Sequence, residues 1–123
     1  MRLKSLFFIA TIVFFATSCE YKMIEEIKPD IPDGEDVSFS EKIEPLFGDC
    51  AGCHSGGISL DLSTNIYTNL TAGSNENGAY INTDEPEQSE LVVKLSEDGH
   101  SSYLTATEKA LIELWIEQGA QNN

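Results

Sequence analysis

The chain has 123 residues, with 21 acidic side chains against 7 basic ones and a formal charge of −14. That length fits one domain. A surface this acidic repels nucleic acid and anionic lipid headgroups and would be steered toward basic docking patches on partner proteins; the plainer alternative is that the acidity simply confers solubility.

Residues 1–18 read as a removable leader. Arg2 and Lys4 form a basic start, and Leu6–Phe15 is an apolar run broken only by Thr11. Ten residues are too few to span a bilayer, so the segment is expected to be a signal peptide. Ala16-Thr17-Ser18-Cys19 then resembles a bacterial lipobox, with Ala16 where leucine is usual. Cys19 would become the lipidated first residue of the mature protein; the plainer alternative is ordinary cleavage with Cys19 incidental. Two or more acyl chains give stable anchoring without a spanning helix. The expected location is therefore extracytoplasmic, tethered to a bacterial membrane and facing the periplasm or the cell surface. The mature chain keeps five lysines (22, 28, 42, 94, 109) and all 21 acidic residues, formally −16.

Residues 19–36 are expected to form an acidic, flexible tether. They carry Pro29, Pro32 and Gly34 among carboxylates and offer little to bury. Fully extended, Glu20–Asp36 could reach roughly 55 Å.

The domain is expected over residues 37–123. Ser38-Phe39-Ser40-Glu41 fits a capping box, opening a helix with Phe39, Ile43, Leu46 and Phe47 inward and Pro45 shortening or kinking it. Cys50-Ala51-Gly52-Cys53-His54 follows. Cysteines three apart with a histidine directly after place two thiols and an imidazole on one face of a single helical turn. This is the sequence signature of covalent c-type haem: Cys50 and Cys53 for the thioethers, His54 for the iron. A thioredoxin-like dithiol would want a βαβ setting, and a zinc site four ligands; neither fits a chain with no strand-like run and so few other ligands. With one cysteine for lipid and two for haem, none is left for a disulfide.

From Ser55 to Glu85 the chain is rich in Gly, Ser, Asn and Thr, so loops are expected, with one short helix near Thr64–Leu70 and a turn at Asn77-Gly78. Pro86 and Ser89 introduce a second helix over Glu90–Leu95 with Leu91, Val92 and Leu95 buried. Thr105-Ala106-Thr107-Glu108 is another capping box. It opens the strongest helix, which ends at Gly119, with Leu111, Leu114 and Trp115 on its inner face and Ile112 and Ile116 flanking. Helices alone are expected, and the 87 residues of the domain are few for an independent core. The chain should therefore depend on haem as an apolar plate to pack on.

The residues that carry a family likeness are spread over nearly all of 37–120. They are Phe39, Ile43-Glu44-Pro45-Leu46-Phe47, Cys50-Ala51-Gly52-Cys53-His54, Leu60-Asp61-Leu62-Ser63, Pro86-Glu87-Gln88-Ser89-Glu90-Leu91, Leu104-Thr105 and Trp115-Ile116-Glu117-Gln118-Gly119-Ala120. Together they resemble the planctomycete-type cytochrome c domain, a variant of the small class I cytochrome c fold. The resemblance implies an all-α fold in which the first and last helices cross, one haem c on Cys50 and Cys53, and His54 as proximal iron ligand. It also implies electron transfer between redox proteins rather than catalysis.

The sixth iron ligand stays open at this point. The resemblance places it in the loop before the last helix, here Glu97-Asp98-Gly99-His100-Ser101-Ser102-Tyr103-Leu104. The methionine-proline pair frequent in relatives is absent, and Met23 lies in the tether. His100 is the one strong ligand of that loop and is expected as distal ligand. The alternative is an open or water-bound site, which would suit ligand binding or peroxidase-like activity. A haem-free lipoprotein thiol oxidoreductase using Cys50 and Cys53 is the remaining reading. Tyr67, Tyr80, Tyr103 and Trp115 are expected in the core more than at haem.

Overall fold

The computed structural model describes residues 29, 31–32, 34–56 and 59–123. The leader 1–18, Cys19, Met23 and most of the acidic tether lie outside the described residues. No helix among the described residues is long and apolar enough to cross a membrane.

The chain folds mostly as helix. The helical stretch opening the domain is not one regular α-helix. A π-helical turn at Phe39–Ile43 passes directly into a 3₁₀ turn at Glu44–Phe47. Pro45 lies at the start of that 3₁₀ turn, where its missing N–H costs little. The Ser38 hydroxyl accepts from the Glu41 amide at 3.3 Å, so only half of the expected box forms. A second 3₁₀ turn, Cys50–Gly52, carries the first cysteine. Helix α1 spans Ile66–Thr71, α2 Glu90–Ser96 behind a 3₁₀ turn at Pro86–Gln88, and α3 Ala106–Glu117.

The helical class holds, with one small sheet that the sequence did not announce: among the described residues Ser74–Asn75 (β1) and Gly78–Ala79 (β2) pair antiparallel in a ribbon. Gly78 takes φ 139°, a conformation open to glycine. The Asn75 side chain accepts from the Asn77 amide at 2.8 Å, closing the turn locally. Two-residue strands leave no alternating pattern to read.

Helix α3 has the reciprocal capping box: the Glu108 amide donates to Thr105 Oγ1 at 3.2 Å, and the Thr105 amide donates to Glu108 Oε2 at 2.7 Å. Its far end closes with Gly119 N–H on Ile116 O and Ala120 N–H on Trp115 O, both 2.9 Å, the Schellman pattern with glycine at φ 94°. The inner face differs from the expected one. Ile112, Trp115 and Ile116 are buried, and Leu111 and Leu114 flank them half-covered. On α2, Leu91 and Leu95 are buried, Val92 is half-buried and Val93 is exposed.

The first and last helical stretches pack together. The Phe39 ring lies 5.3 Å from Trp115 and 5.2 Å from Tyr67. Polar contacts stitch the same seam. Gln118 Oε1 accepts from the Val37 amide at 2.7 Å, its Nε2 donates to Glu35 O at 3.1 Å, and Asn123 Oδ1 accepts from the Phe39 amide at 2.9 Å. Ile31 also lies against the core, so the described end of the acidic stretch is attached to the domain. With Leu62, Leu70, Leu104 and α2, these residues form one continuous apolar cluster.

Candidate functional site

The Cys50–His54 segment is a single turn because two amides converge on one carbonyl. Cys53 N–H and His54 N–H donate to Cys50 O at 3.1 and 2.8 Å. That turn places both thiols and the imidazole on the wall of one cleft of about 380 Å³, within the size range of small-molecule sites. Cys50 is half-buried and Cys53 exposed, and the two are not joined in a disulfide. Burial, then Asp49, then Cys53 push the Cys50 thiol above its ordinary value, which works against thiolate formation at that sulfur.

His54 is held by the strap that follows it. Its Nδ1 lies 3.0 Å from Leu60 O. A carbonyl only accepts, so Nδ1 carries the proton and Nε2 keeps its lone pair free. The Leu62 amide donates to His54 O at 2.8 Å. The strap is pinned in turn by Asn69 of α1, whose Nδ2 donates to Asp61 O and Thr64 O, both at 2.8 Å.

The facing walls come from distant parts of the chain. Phe47, Leu60, Leu62, Leu91 and Leu95 supply an apolar body; Asn75, Tyr80, Glu90 and Lys94 supply a polar corner. Glu90 is buried. The Asn75 amide foremost, opposed by burial and helped by Asn77 and Lys94, holds its carboxyl below the usual range. Lys94 bonds Glu97 at 2.7 Å and stands 4.0 Å from Glu90. Lys109 Nζ donates to Ser101 O, tying the loop before α3 to that helix.

His100 closes the arrangement. It is exposed, lines the same cleft, and its ring centroid lies 6.2 Å from that of His54 with the planes at 54°. Two metal–imidazole bonds of about 2 Å plus the ring radii come to about 6 Å. The separation is of the size that a metal ion held by both imidazoles would need, and the apolar body would suit a flat apolar group. Among the described residues no three His, Cys, Asp or Glu side chains gather closely enough to hold a metal ion unaided.

The structure thus brings Cys50, Cys53, His54 and His100 to one cleft; Cys19 lies outside the described residues. The Leu60 carbonyl, the Asn69 brace and the polar corner were missed in the sequence. The Leu60-Asp61-Leu62-Ser63 run was their one available signal. Tyr80 and Trp115 are buried as expected, whereas Tyr103 is 59% exposed on the cleft's edge. Comparison with family models, with curated proteins and with solved structures gave no match to this chain.

Proposed function

We propose that the chain is a monohaem c-type cytochrome of the class I kind, lipid-anchored through Cys19, that passes single electrons between redox proteins outside the cytoplasm. The observation that carries the reading is the convergence of Cys50, Cys53 and a carbonyl-oriented His54 on one cleft with His100 6.2 Å away. Bound haem iron would supply a one-electron ferric/ferrous couple. Cys50 and Cys53 would hold the ring through thioethers, and His54, its Nδ1 proton fixed on Leu60 O, would offer Nε2. His100 would take the opposite side, and histidine in place of methionine favours a lower potential. Phe47, Leu62, Leu91 and Leu95 would keep water from the ring faces, and the acidic surface would favour partners with basic docking patches.

The exposure of His100 favours a second reading in which it swings away and the sixth position is open, as in a ligand-binding or peroxidase-like haem protein. The haem-free dithiol reading is disfavoured by the raised Cys50 thiol. Expression in a host with cytochrome c maturation machinery, followed by a haem stain on a denaturing gel, tests the proposal. Stain that survives denaturation supports it, and two unmodified thiols by mass spectrometry would sink it. Carbon monoxide binding to the reduced protein would select the open-site reading.

A further inference from the structure

We propose that Lys109 is a positioning residue that latches the His100 loop from helix α3, and so sets how readily a small ligand displaces His100 from the iron. The inference rests on the reading of His100 as distal ligand and deepens it by naming what holds that ligand in place. Lys109 Nζ donates to Ser101 O at 2.7 Å. Ser101 directly follows His100, so the bond fixes the backbone that carries the imidazole. The remaining bonds of the loop are local. Glu97 N–H donates to Lys94 O, His100 N–H and Ser101 N–H donate to Glu97 O, and Tyr103 N–H donates to His100 O. Lys94 Nζ grips Glu97 Oε2 at the loop's first residue. These close the turn but tie it no further than the end of α2. Among the described residues, the bond from Lys109 is the polar contact that reaches 98–103 from the helix beyond. His100 itself is exposed, so burial does not hold it.

Helix stability does not account for this lysine. Helix α3 begins at Ala106, so Lys109 closes its first turn, at the end where the helix dipole disfavours a cation. Glu113 stands one turn further on, where an ion pair would add support. The ion pairs among the described residues both belong to Lys94, and the half-buried Lys109 turns back to a carbonyl instead. A hydrogen bond from a charged donor outweighs a neutral one, enough to hold a six-atom side chain in one conformation against its entropy. On the haem reading, His100 and any external ligand compete for one coordination position. A loop pinned beside His100 keeps its imidazole at high effective concentration over the iron. Releasing the pin lowers that concentration, and the external ligand gains by the same factor.

The test uses the full-length, haem-loaded protein and imidazole, which binds iron in its neutral form. A haem stain comes first; no haem would overturn this inference and the haem reading together. Imidazole is then titrated against the ferric wild type and its Lys109→Met, Lys109→Arg and Lys42→Met variants. Lys109→Met keeps the apolar stem and should bind imidazole about tenfold more tightly, the worth of one hydrogen bond from a charged donor. Lys109→Arg, still a donor, should restore most of the wild-type value. Lys42→Met loses the same charge at an exposed site and should bind as the wild type does. In a His100→Ala background, Lys109→Met should change nothing, because no internal ligand is left to displace. An equal effect in both backgrounds would mean a general loosening of the cleft and overturn the inference. So would wild-type affinity in Lys109→Met while His100→Ala turns the spectrum high-spin, which leaves the ligation reading standing. A His100→Ala spectrum that stays low-spin would remove both. One measurement needs no variant to fold. Coupling is reciprocal, so imidazole saturation of the wild type should speed acylation of the Lys109 amine several-fold relative to Lys42. An unchanged ratio would overturn the latch.

Discussion

His54 and His100 face one cleft with ring centroids 6.2 Å apart and planes inclined at 54°. The first is fixed by Leu60 O. The second rides on a turn closed by His100 N–H on Glu97 O and Tyr103 N–H on His100 O, each at 3.1 Å. Lys109 anchors that turn to α3 through Ser101 O at 2.7 Å. An ordered turn pointing a histidine at the cleft is what axial ligation would use. In the haem-loaded protein, His100→Ala is expected to convert a low-spin spectrum almost wholly to high-spin and to admit carbon monoxide after reduction. Added imidazole should restore the low-spin form. A spectrum that stays low-spin without added imidazole would place the sixth ligand elsewhere.

The cap of α3 gives the fold an acid-side dependence on pH. Hydrogen bonds from the Thr105 amide, then from its hydroxyl, hold the Glu108 carboxyl below its ordinary value. The folded state thus favours the ionised form. Its contribution is complete above the unfolded value near 4.3 and is lost as pH falls through the lower, folded value. Glu90 and Asp61 are lowered as well, so Glu108→Gln should flatten the acid limb of the melting profile without abolishing it. Thr105→Ala removes the other half of the box. It is expected to cost about 1 kcal/mol, lowering Tm by roughly 4–8 °C for a domain of this size.

Helix α3 and its caps were legible in sequence because Thr105-x-x-Glu108 and Gly119 are local signals whose geometry needs no distant partner. The Cys50–His54 turn was legible for the same reason. The inner face of α3 was misplaced by one step, since the side that is buried depends on where Phe39 and Tyr67 sit, and no periodicity within the helix records that. The ribbon at Ser74–Ala79 was missed because two-residue strands carry no alternation. The polar corner was missed because Asn75, Tyr80 and Glu90 belong to three elements that only tertiary packing brings together. Pro45 announced a break in the first helix, but the π turn ahead of it had no local signal.

Gly73 is the hinge of that corner. A side chain there would collide with Asn69 O and with the Tyr80 ring, whose carbons would lie 2.6–2.7 Å from the new methyl. Asn69 also braces the strap that holds His54. Gly73→Ala is therefore expected to cost about 1–3 kcal/mol, read as a loss in Tm. It should also disturb the His54 region, seen as broadened haem resonances in NMR spectra of the loaded protein. A variant as stable as wild type with unchanged spectra would mean that the ring moves aside freely.

On the haem reading, the cleft predicts how the chain behaves without haem. Phe47 and Leu62 are buried in the core cluster, yet both also line the opening, as do Leu60, Leu91 and Leu95. A plate between the walls would give those largely sheltered side chains packing partners across about 380 Å³. A domain of 87 residues has a small core, and a group bound only in the folded state stabilises it the more, the more tightly it binds. The Cys50→Ser/Cys53→Ser double variant cannot attach haem through thioethers. It is expected to melt more than 15 °C lower, on the scale of roughly 4–8 °C per kcal/mol, with a broader transition and with binding of an apolar dye that the loaded protein excludes. The His54–Leu60 contact should loosen with it, leaving the Leu62 amide on His54 O and the Asn69 side chain to hold the strap in register. Equal melting of the two forms would show that the walls close on each other unaided and that the core does not depend on the cofactor.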